Sequence, residues 1–190
     1  GYWITVMGNR TSLADNATMN QTRIAQLGRM FMSEEKEGWI ILKDLKADYV
    51  LVYIAGQKFA DPSTGQLIYL LGGGGDESKK QWFIKIGGLN ISKYLYEDEF
   101  TPTPYFWDNT LLGKMFPFRL IQYVDQTGRF AGVEWQRGYQ GVYIYSEQYP
   151  VTGEGPMRLV FKSSSLIKPL ASGERSGVFA AVLIYEVVKD

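Results

Sequence analysis

The chain has 190 residues, of which 45% are hydrophobic and 15% aromatic, a composition typical of one globular domain with a hydrophobic core. Its 20 basic and 20 acidic residues cancel, so no net positive charge attracts nucleic acid, and we expect no nucleic-acid partner. The sequence contains no histidine and no cysteine, which excludes disulfides, thiol nucleophiles, Ser-His-Asp triads and the usual zinc sites.

The first 64 residues predict two strands with two helices between them. Residues 2–7 alternate and are rich in β-branched and aromatic side chains, which predicts a strand. Apolar residues at helical spacing predict a helix from Thr22 and a second helix that Ser33 caps. Six successive apolar residues at 49–54 predict a strand buried on both faces, followed by a loop at 57–64. This order is typical of a parallel crossover unit.

The remaining residues predict an α+β fold. Residues 66–71 are a short apolar run that leads into four glycines, and Asp108 is expected to cap a helix that ends before Pro117. Several β-like runs separated by Gly, Pro and Ser predict antiparallel strands, at 119–124, 130–136, 141–145, 157–162 and 178–188. We therefore expect one globular domain over 1–190. It would have a helix-rich mixed α/β core over 1–118, followed by a small antiparallel β unit over 119–190.

A short element bounded by glycines is the strongest candidate for a site. Four glycines precede residues 76–86 and two follow them, and glycine is a poor residue for a helix interior. A helix here would place Asp76, Lys79, Lys80 and Phe83 on one face. Two interpretations stay open, a charged surface helix and a rigid polar strip that binds a ligand. Local spacing alone favours the surface helix, since such charge pairs are common and weak.

Aromatic residues of the last third allow two interpretations as well. They form a platform for a sugar or a peptide, or they pack in the core and across strands, and the packing interpretation is favoured. The residues concerned are Trp107, Trp135, Tyr139, Tyr143, Tyr145 and Tyr149.

Several segments resemble, in order and spacing, the region that follows the WWDYG signature in catalytic subunits of asparagine-linked oligosaccharyltransferase. The segments are GYWITVMGNRT at 1–11, ADNAT at 14–18, SEEK at 33–36 and DYVLV at 48–52. Gly1 corresponds to the last letter of the signature. The resemblance continues through Ile86-Gly87-Gly88 and from Thr101 to Lys114, and the short tail looks most like the archaeal, single-subunit enzymes.

The same family has a second signature, D-x-x-K-x-x-x-M/I, and Asp76-Glu77-Ser78-Lys79 resembles it. Phe83 stands where the family has Met or Ile, and Ile84 follows it, so which of the two replaces the family residue stays open. The resemblance implies that Asp76, Lys79 and Phe83 or Ile84, together with Gly1, contribute to a pocket. That pocket would recognise the Ser or Thr of an acceptor N-x-S/T sequon.

The resemblance also implies the function of a longer protein. This chain would be its C-terminal globular domain, on the extracytoplasmic side of the cell membrane. The full-length enzyme would transfer an oligosaccharide from a lipid-linked donor to the acceptor asparagine, with a divalent metal, Mg or Mn, held outside this fragment. We expect no catalytic residue and no metal site in this chain, an inactive fragment and a monomer. The alternatives are a free-standing peptide- or carbohydrate-binding module without catalytic activity and a purely structural domain.

Overall fold

An antiparallel sheet with helices packed on it organises the fold. The computed structural model describes residues 2–14, 20–71, 74–123, 129–130, 133–134 and 141–189. Within these ranges the chain forms a mixture of helices and antiparallel strands, which confirms the predicted α+β class. None of the helices in these ranges is long and apolar enough to cross a membrane.

Helices dominate the first two thirds of the chain. Within the described ranges they are α1 (Tyr2–Val6), α2 (Gln21–Met32), α3 (Glu35–Asp44), α4 (Lys80–Gly87), α5 (Ile91–Tyr94), α6 (Pro104–Asn109), α7 (Leu111–Met115) and α8 (Ser164–Ile167). A 3-10 turn, Asp76–Lys79, leads directly into α4. The helix predicted from Thr22 is therefore confirmed as α2, and the short element between the glycines is helical.

Two predictions near the start of the chain are wrong. Residues 2–6 form a helix because no strand of the described sheet borders them, so their backbone groups are satisfied locally. Ser33 does not cap α3; its Oγ donates to the carbonyl of Arg29 at 2.6 Å, and Glu34 is the N-cap residue without a side-chain hydrogen bond. Ser33 thus satisfies the end of α2 instead of the start of α3.

One six-stranded sheet takes strands from both parts of the chain. Within the described ranges the chain has eight strands, of which six form this sheet. The eight are β1 (Tyr49–Ala60), β2 (Leu67–Leu71), β3 (Phe118–Tyr123), β4 (Arg129–Phe130), β5 (Val133–Glu134), β6 (Gly141–Tyr145), β7 (Met157–Lys162) and β8 (Ser176–Val187). The sheet has the order β3-β6-β2-β1-β8-β7, and β4 pairs with β5 separately. Strands β1 and β2, which precede residue 118, therefore lie between strands that follow it. All neighbours in the sheet are antiparallel.

Strand β1 differs from its prediction in two ways. In its first half Val50, Val52 and Ile54 are buried, whereas Tyr49, Leu51 and Tyr53, on the other face, are exposed. The prediction of a strand buried on both faces is therefore wrong, as is that of a parallel crossover. The strand also continues to Ala60, into the first half of the predicted loop, because β2 and β8 both pair with this part of it, and the loop itself lies at 61–66. A run of apolar residues does not show which of its two faces will be covered.

Helices α2 and α4 lie against each other and bring the glycine-flanked element onto the core. The contact is close at Gly28, where an added Cβ would lie 2.6 Å from the carbonyl oxygen of Phe83. Ile84 of α4 is fully buried in the main core cluster, to which α2, α3, α6, α7 and α8 also contribute. Because only glycine permits this approach at position 28, the helix that follows the turn is fixed relative to α2.

The aromatic residues of the last third are mostly core residues. Trp107, Tyr143 and Tyr149 are buried, and the rings of Trp107 and Tyr143 have centroids 4.9 Å apart. Trp135 and Tyr139 lie outside the described residues. Packing therefore accounts for Trp107, Tyr143 and Tyr149, and Tyr145 is half-buried against the same core.

The junction of α6 and α7 gives a stability prediction that distinguishes the observed cap residue, Thr110, from the predicted one, Asp108. The buried Thr110 Oγ1 donates to the Phe106 carbonyl at 2.6 Å and accepts from the Gly113 N–H at 3.0 Å, whereas Asp108, the predicted cap, is exposed. We expect Thr110→Val to lower the free energy of unfolding by about 2 kcal/mol, because the buried Gly113 N–H loses its partner and the Phe106 carbonyl loses one of its two donors. Asp108→Ala should change it by less than about 0.5 kcal/mol. Urea unfolding curves would show the reverse order if Asp108 were the cap.

Candidate functional site

The candidate site begins where β2 ends. Strand β2 pairs with β1 only from Gly56 to Ala60, so the preceding residues of β1 have no β2 partner. Gly75 lies directly on this part of β1, and an added Cβ would lie 2.8 Å from the Tyr53 carbonyl oxygen and 2.8 Å from the Ile54 Cα. A side chain at position 75 would therefore push the following turn away from the strand.

Asp76 takes over as the partner of β1. Its Oδ2 accepts the backbone N–H of Tyr53 at 2.7 Å, and its Oδ1 accepts the Lys79 ammonium at 2.8 Å. The Asp76 side chain is 18% accessible and that of Lys79 57%. The predicted pairing of these two residues is present, and the anchor of Asp76 on β1 is a contact that the sequence did not indicate. A carboxylate fixed on the sheet thus holds an amine at the surface.

The next two charged residues of the turn point inward. Glu77 is 4% exposed and Lys80 is 1% exposed. The Lys80 ammonium donates to the backbone carbonyl of Glu77 at 3.2 Å and lies 4.5 Å from the centre of the Phe100 ring. The prediction that Lys80 shares the surface face of Lys79 is therefore wrong, because a 3-10 turn precedes α4 and changes the angle between successive residues.

Burial changes the acid–base properties of both inward residues. It raises the pKa of the Glu77 carboxyl to about 7, although the Gly75 N–H and the Lys80 ammonium act in the opposite direction. Burial also lowers the pKa of Lys80 to about 8, against the attraction of Glu77 and Asp98. Both shifts have desolvation as their main cause, because the low-dielectric interior disfavours the charged form of each group.

The apolar residues of α4 divide between core and surface. Ile84 is fully buried, so in this structure it offers no surface to a ligand. Phe83 is half-buried and packs on Phe31, with ring centroids 5.0 Å apart, and it keeps part of its surface accessible. Trp82 and Ile86, which the sequence did not single out, are exposed. Of the two positions left open by the sequence, Phe83 is the one that can contact another molecule.

Two further expectations concern Gly1 and metals. Gly1 lies outside the described residues. Among the residues that the structure describes, no three His, Cys, Asp or Glu side chains come together as metal ligands would. Asp76, Lys79 and Phe83 together present hydrogen-bond acceptors, donors and an apolar surface at this place.

The raised pKa of Glu77 gives a pH prediction. The ordinary carboxyl value is 4.5, so between pH 4.5 and 7 the folded chain retains a proton that the unfolded chain has released. Stability from protonated Glu77 is complete below pH 4.5 and is lost as the pH rises through 7. We expect wild type to lose up to roughly 3 kcal/mol of unfolding free energy relative to Glu77→Gln over this window. Parallel urea-unfolding profiles for the two chains would contradict the burial of an ionisable Glu77.

Comparison with known proteins relates this chain to the STT3 subunits of one enzyme. No family model matches the chain. Over 149 residues, 74% of its length, it is 32% identical to dolichyl-diphosphooligosaccharide–protein glycosyltransferase subunit STT3B of Arabidopsis thaliana. It is 39% identical over 89 residues, 46% of its length, to subunit STT3 of Dictyostelium discoideum. It is also 40% identical over 87 residues, 45% of its length, to subunit STT3 of Saccharomyces cerevisiae.

These relatives are much longer than the chain. The matches cover 18% of the plant protein, 11% of the Dictyostelium protein and 10% of the yeast protein, so the chain spans less than a fifth of each. They come from a plant, a slime mould and a yeast, and the archaeal type stays a prediction. The resemblance noted in the sequence is confirmed at the level of the family: the chain belongs to the family of the STT3 subunits of dolichyl-diphosphooligosaccharide–protein glycosyltransferase.

Proposed function

We propose that this chain helps an oligosaccharyltransferase to recognise the Ser or Thr of an acceptor N-x-S/T sequon. The full-length protein would transfer an oligosaccharide from a lipid-linked donor to the sequon asparagine. One observation carries this proposal: the Asp76 carboxylate is anchored on the edge of β1 and holds the exposed Lys79 ammonium at 2.8 Å. These two residues stand at the Asp and Lys of the family signature D-x-x-K.

The pair suits the recognition of a hydroxyl group, which both donates and accepts a hydrogen bond. The Lys79 ammonium has three N–H donors, and Asp76 takes one of them. The Asp76 carboxylate has further lone pairs beyond the bonds to Tyr53 and Lys79. The pair can therefore donate to a bound hydroxyl and accept from it. Because the carboxylate is fixed on the sheet, little ordering would be required on binding.

An apolar surface near the pair would serve a threonine acceptor. Phe83, half-buried against Phe31 and one turn after Lys79, is the residue proposed to contact the threonine methyl. Ile84 is proposed to support this surface from the core, where it is fully buried. Gly1, as the last letter of the WWDYG signature, would join this element to the rest of the pocket, supplied by the signature residues before it.

The remaining parts of the reaction are assigned to the protein beyond this chain. A divalent Mg or Mn ion would neutralise negative charge in the transfer reaction, and the described residues do not fit such an ion. The lipid-linked donor would bind to the part of the full-length protein that lies outside this chain, in or at the cell membrane. We propose that this domain lies on the extracytoplasmic side as a monomer and that it is inactive alone. Nothing in the relatives favours a free-standing binding module.

Conservative substitutions of the pair test the proposal. Asp76→Asn retains an oxygen for the Tyr53 N–H but loses the charge that holds Lys79, and Lys79→Gln removes the ammonium. We expect either change to raise KM for a labelled Asn-x-Thr peptide by about tenfold in the full-length enzyme, since a hydrogen bond to a charged group contributes roughly 1.5–3 kcal/mol.

Lys85→Gln is the matched control for these variants. Lys85 is also on the surface of α4, and its ammonium pairs with Glu99 at 3.0 Å, with both side chains half exposed. This variant should leave KM within about twofold of wild type, because an exposed ion pair contributes little. Equal KM values in wild type, Asp76→Asn and Lys79→Gln would remove the assignment of the site. A similar rise in Lys85→Gln would point to a general effect of surface charge.

A further inference from the structure

The turn before α4 contains two interleaved pairs of opposite charge. Asp76 and Lys79 form the outer pair at the surface. Glu77 and Lys80, three residues apart in the same way and here called the inner pair, have almost no solvent exposure, and the Lys80 ammonium donates to the Glu77 backbone carbonyl. The structure therefore places a second acid and a second amine directly beneath the proposed recognition site. Their contacts show what they do there.

Glu77 folds back over the residue that precedes Asp76. Its Oε1 accepts the backbone N–H of Gly75 at 3.4 Å, and its Oε2 lies so close to Gly75 that an added Cβ would overlap it. Among the residues that the structure describes, Oε2 has no hydrogen-bond partner. The Glu77 carboxylate and the backbone of Tyr53 and Ile54 thus meet at the Cβ position that Gly75 leaves open. Glu77 thereby holds Gly75, and the turn that begins at Asp76, against β1.

Lys80 connects the turn to a second segment of the chain. Its ammonium donates to the Glu77 carbonyl and lies over the Phe100 ring. Phe100 belongs to a tight loop in which the Asp98 carboxylate accepts the N–H groups of Phe100 at 2.9 Å and Thr101 at 2.7 Å. Lys80 therefore ties the turn to a loop that is itself braced by hydrogen bonds.

We infer that Glu77 and Lys80 are positioning residues for the acceptor site: they hold the turn on β1 and on the loop at 98–101, so that Asp76 and Lys79 keep their geometry. This inference rests on the proposed function of the outer pair. Neither residue would touch the acceptor, because both are buried. They act through Gly75 and through the Asp76 bond to the Tyr53 N–H.

The energetics favour a positioning role over a stabilising one. Burying an ionisable group costs several kcal/mol, and burial disfavours the charged forms of both Glu77 and Lys80, so their charges add little to the stability of the fold. The hydrogen bonds from the Gly75 N–H to the Glu77 carboxylate and from Lys80 to the Glu77 carbonyl are directional, whereas apolar contacts permit small rotations of the turn. A recognition site that depends on a carboxylate and an amine benefits from such a directional support.

The test uses Glu77→Ala and Lys80→Met in the full-length enzyme, with a labelled Asn-x-Thr peptide as the acceptor. We expect KM to rise by about tenfold with kcat within about twofold of wild type, the pattern of lost acceptor binding. Glu77→Gln, which retains an acceptor for the Gly75 N–H, should recover part of the loss. Leu166→Ala is the control, because Leu166 is fully buried in α8 and its truncation destabilises the fold at another place. Its KM should not change.

Hydrogen exchange at the Tyr53 amide gives a second readout that does not depend on activity. Because this amide donates to Asp76, its exchange should be at least about tenfold faster in Glu77→Ala and Lys80→Met, and unchanged in Leu166→Ala. Unchanged exchange in both of the first two variants would overturn the inference, whatever happens to KM. Faster exchange with a normal KM in these variants and in Asp76→Asn would support positioning and refute the proposed function. Should Glu77→Ala fail to fold, Lys80→Met and Glu77→Gln decide the question alone.

Discussion

The hydrogen bond from the Tyr53 backbone N–H to the Asp76 carboxylate is the contact on which the site depends. Strand β1 has 12 residues, but β2 pairs with only five of them, so the exposed edge of β1 needs another partner. Asp76 supplies it at 2.7 Å, and the close approach of Gly75 to the strand makes the bond possible. The 3-10 turn begins at Asp76 and leads into α4, which contacts α2 at Gly28.

Local pattern was enough to predict much of the fold, and tertiary contacts explain where it failed. Helix α2 and strands β6 and β7 follow the predicted periods, because in each of them one regular pattern agrees with the final surroundings. The run at 49–54 was placed correctly as a strand, but its burial depends on which face the helices cover. Residues 2–6 form a helix although their pattern is typical of a strand. A strand needs a second strand to pair with, and a short stretch of sequence does not show whether one is present.

The candidate site was predictable in its outer pair and not in its inner pair. Asp76 and Lys79 lie three residues apart, and that spacing predicts their contact in any helical turn. Glu77 and Lys80 have the same spacing, so sequence alone cannot show which pair faces the core. The outcome depends on β1 and on the loop with Phe100, both distant in sequence. The burial of Ile84 against the partial exposure of Phe83 likewise depends on the packing of α4 on α2.

The central claim is that the Lys79 ammonium, held by Asp76, binds the hydroxyl of the acceptor residue. A double-mutant cycle measures this contact directly: kcat/KM for peptides with threonine or 2-aminobutyrate at that position, in the full-length wild type and in Lys79→Gln. In wild type, replacing threonine by 2-aminobutyrate should lower kcat/KM strongly. In Lys79→Gln the same loss should be at least about fivefold smaller, which corresponds to a coupling of about 1 kcal/mol. An equal loss in both enzymes would show that Lys79 does not contact the hydroxyl and would contradict the account.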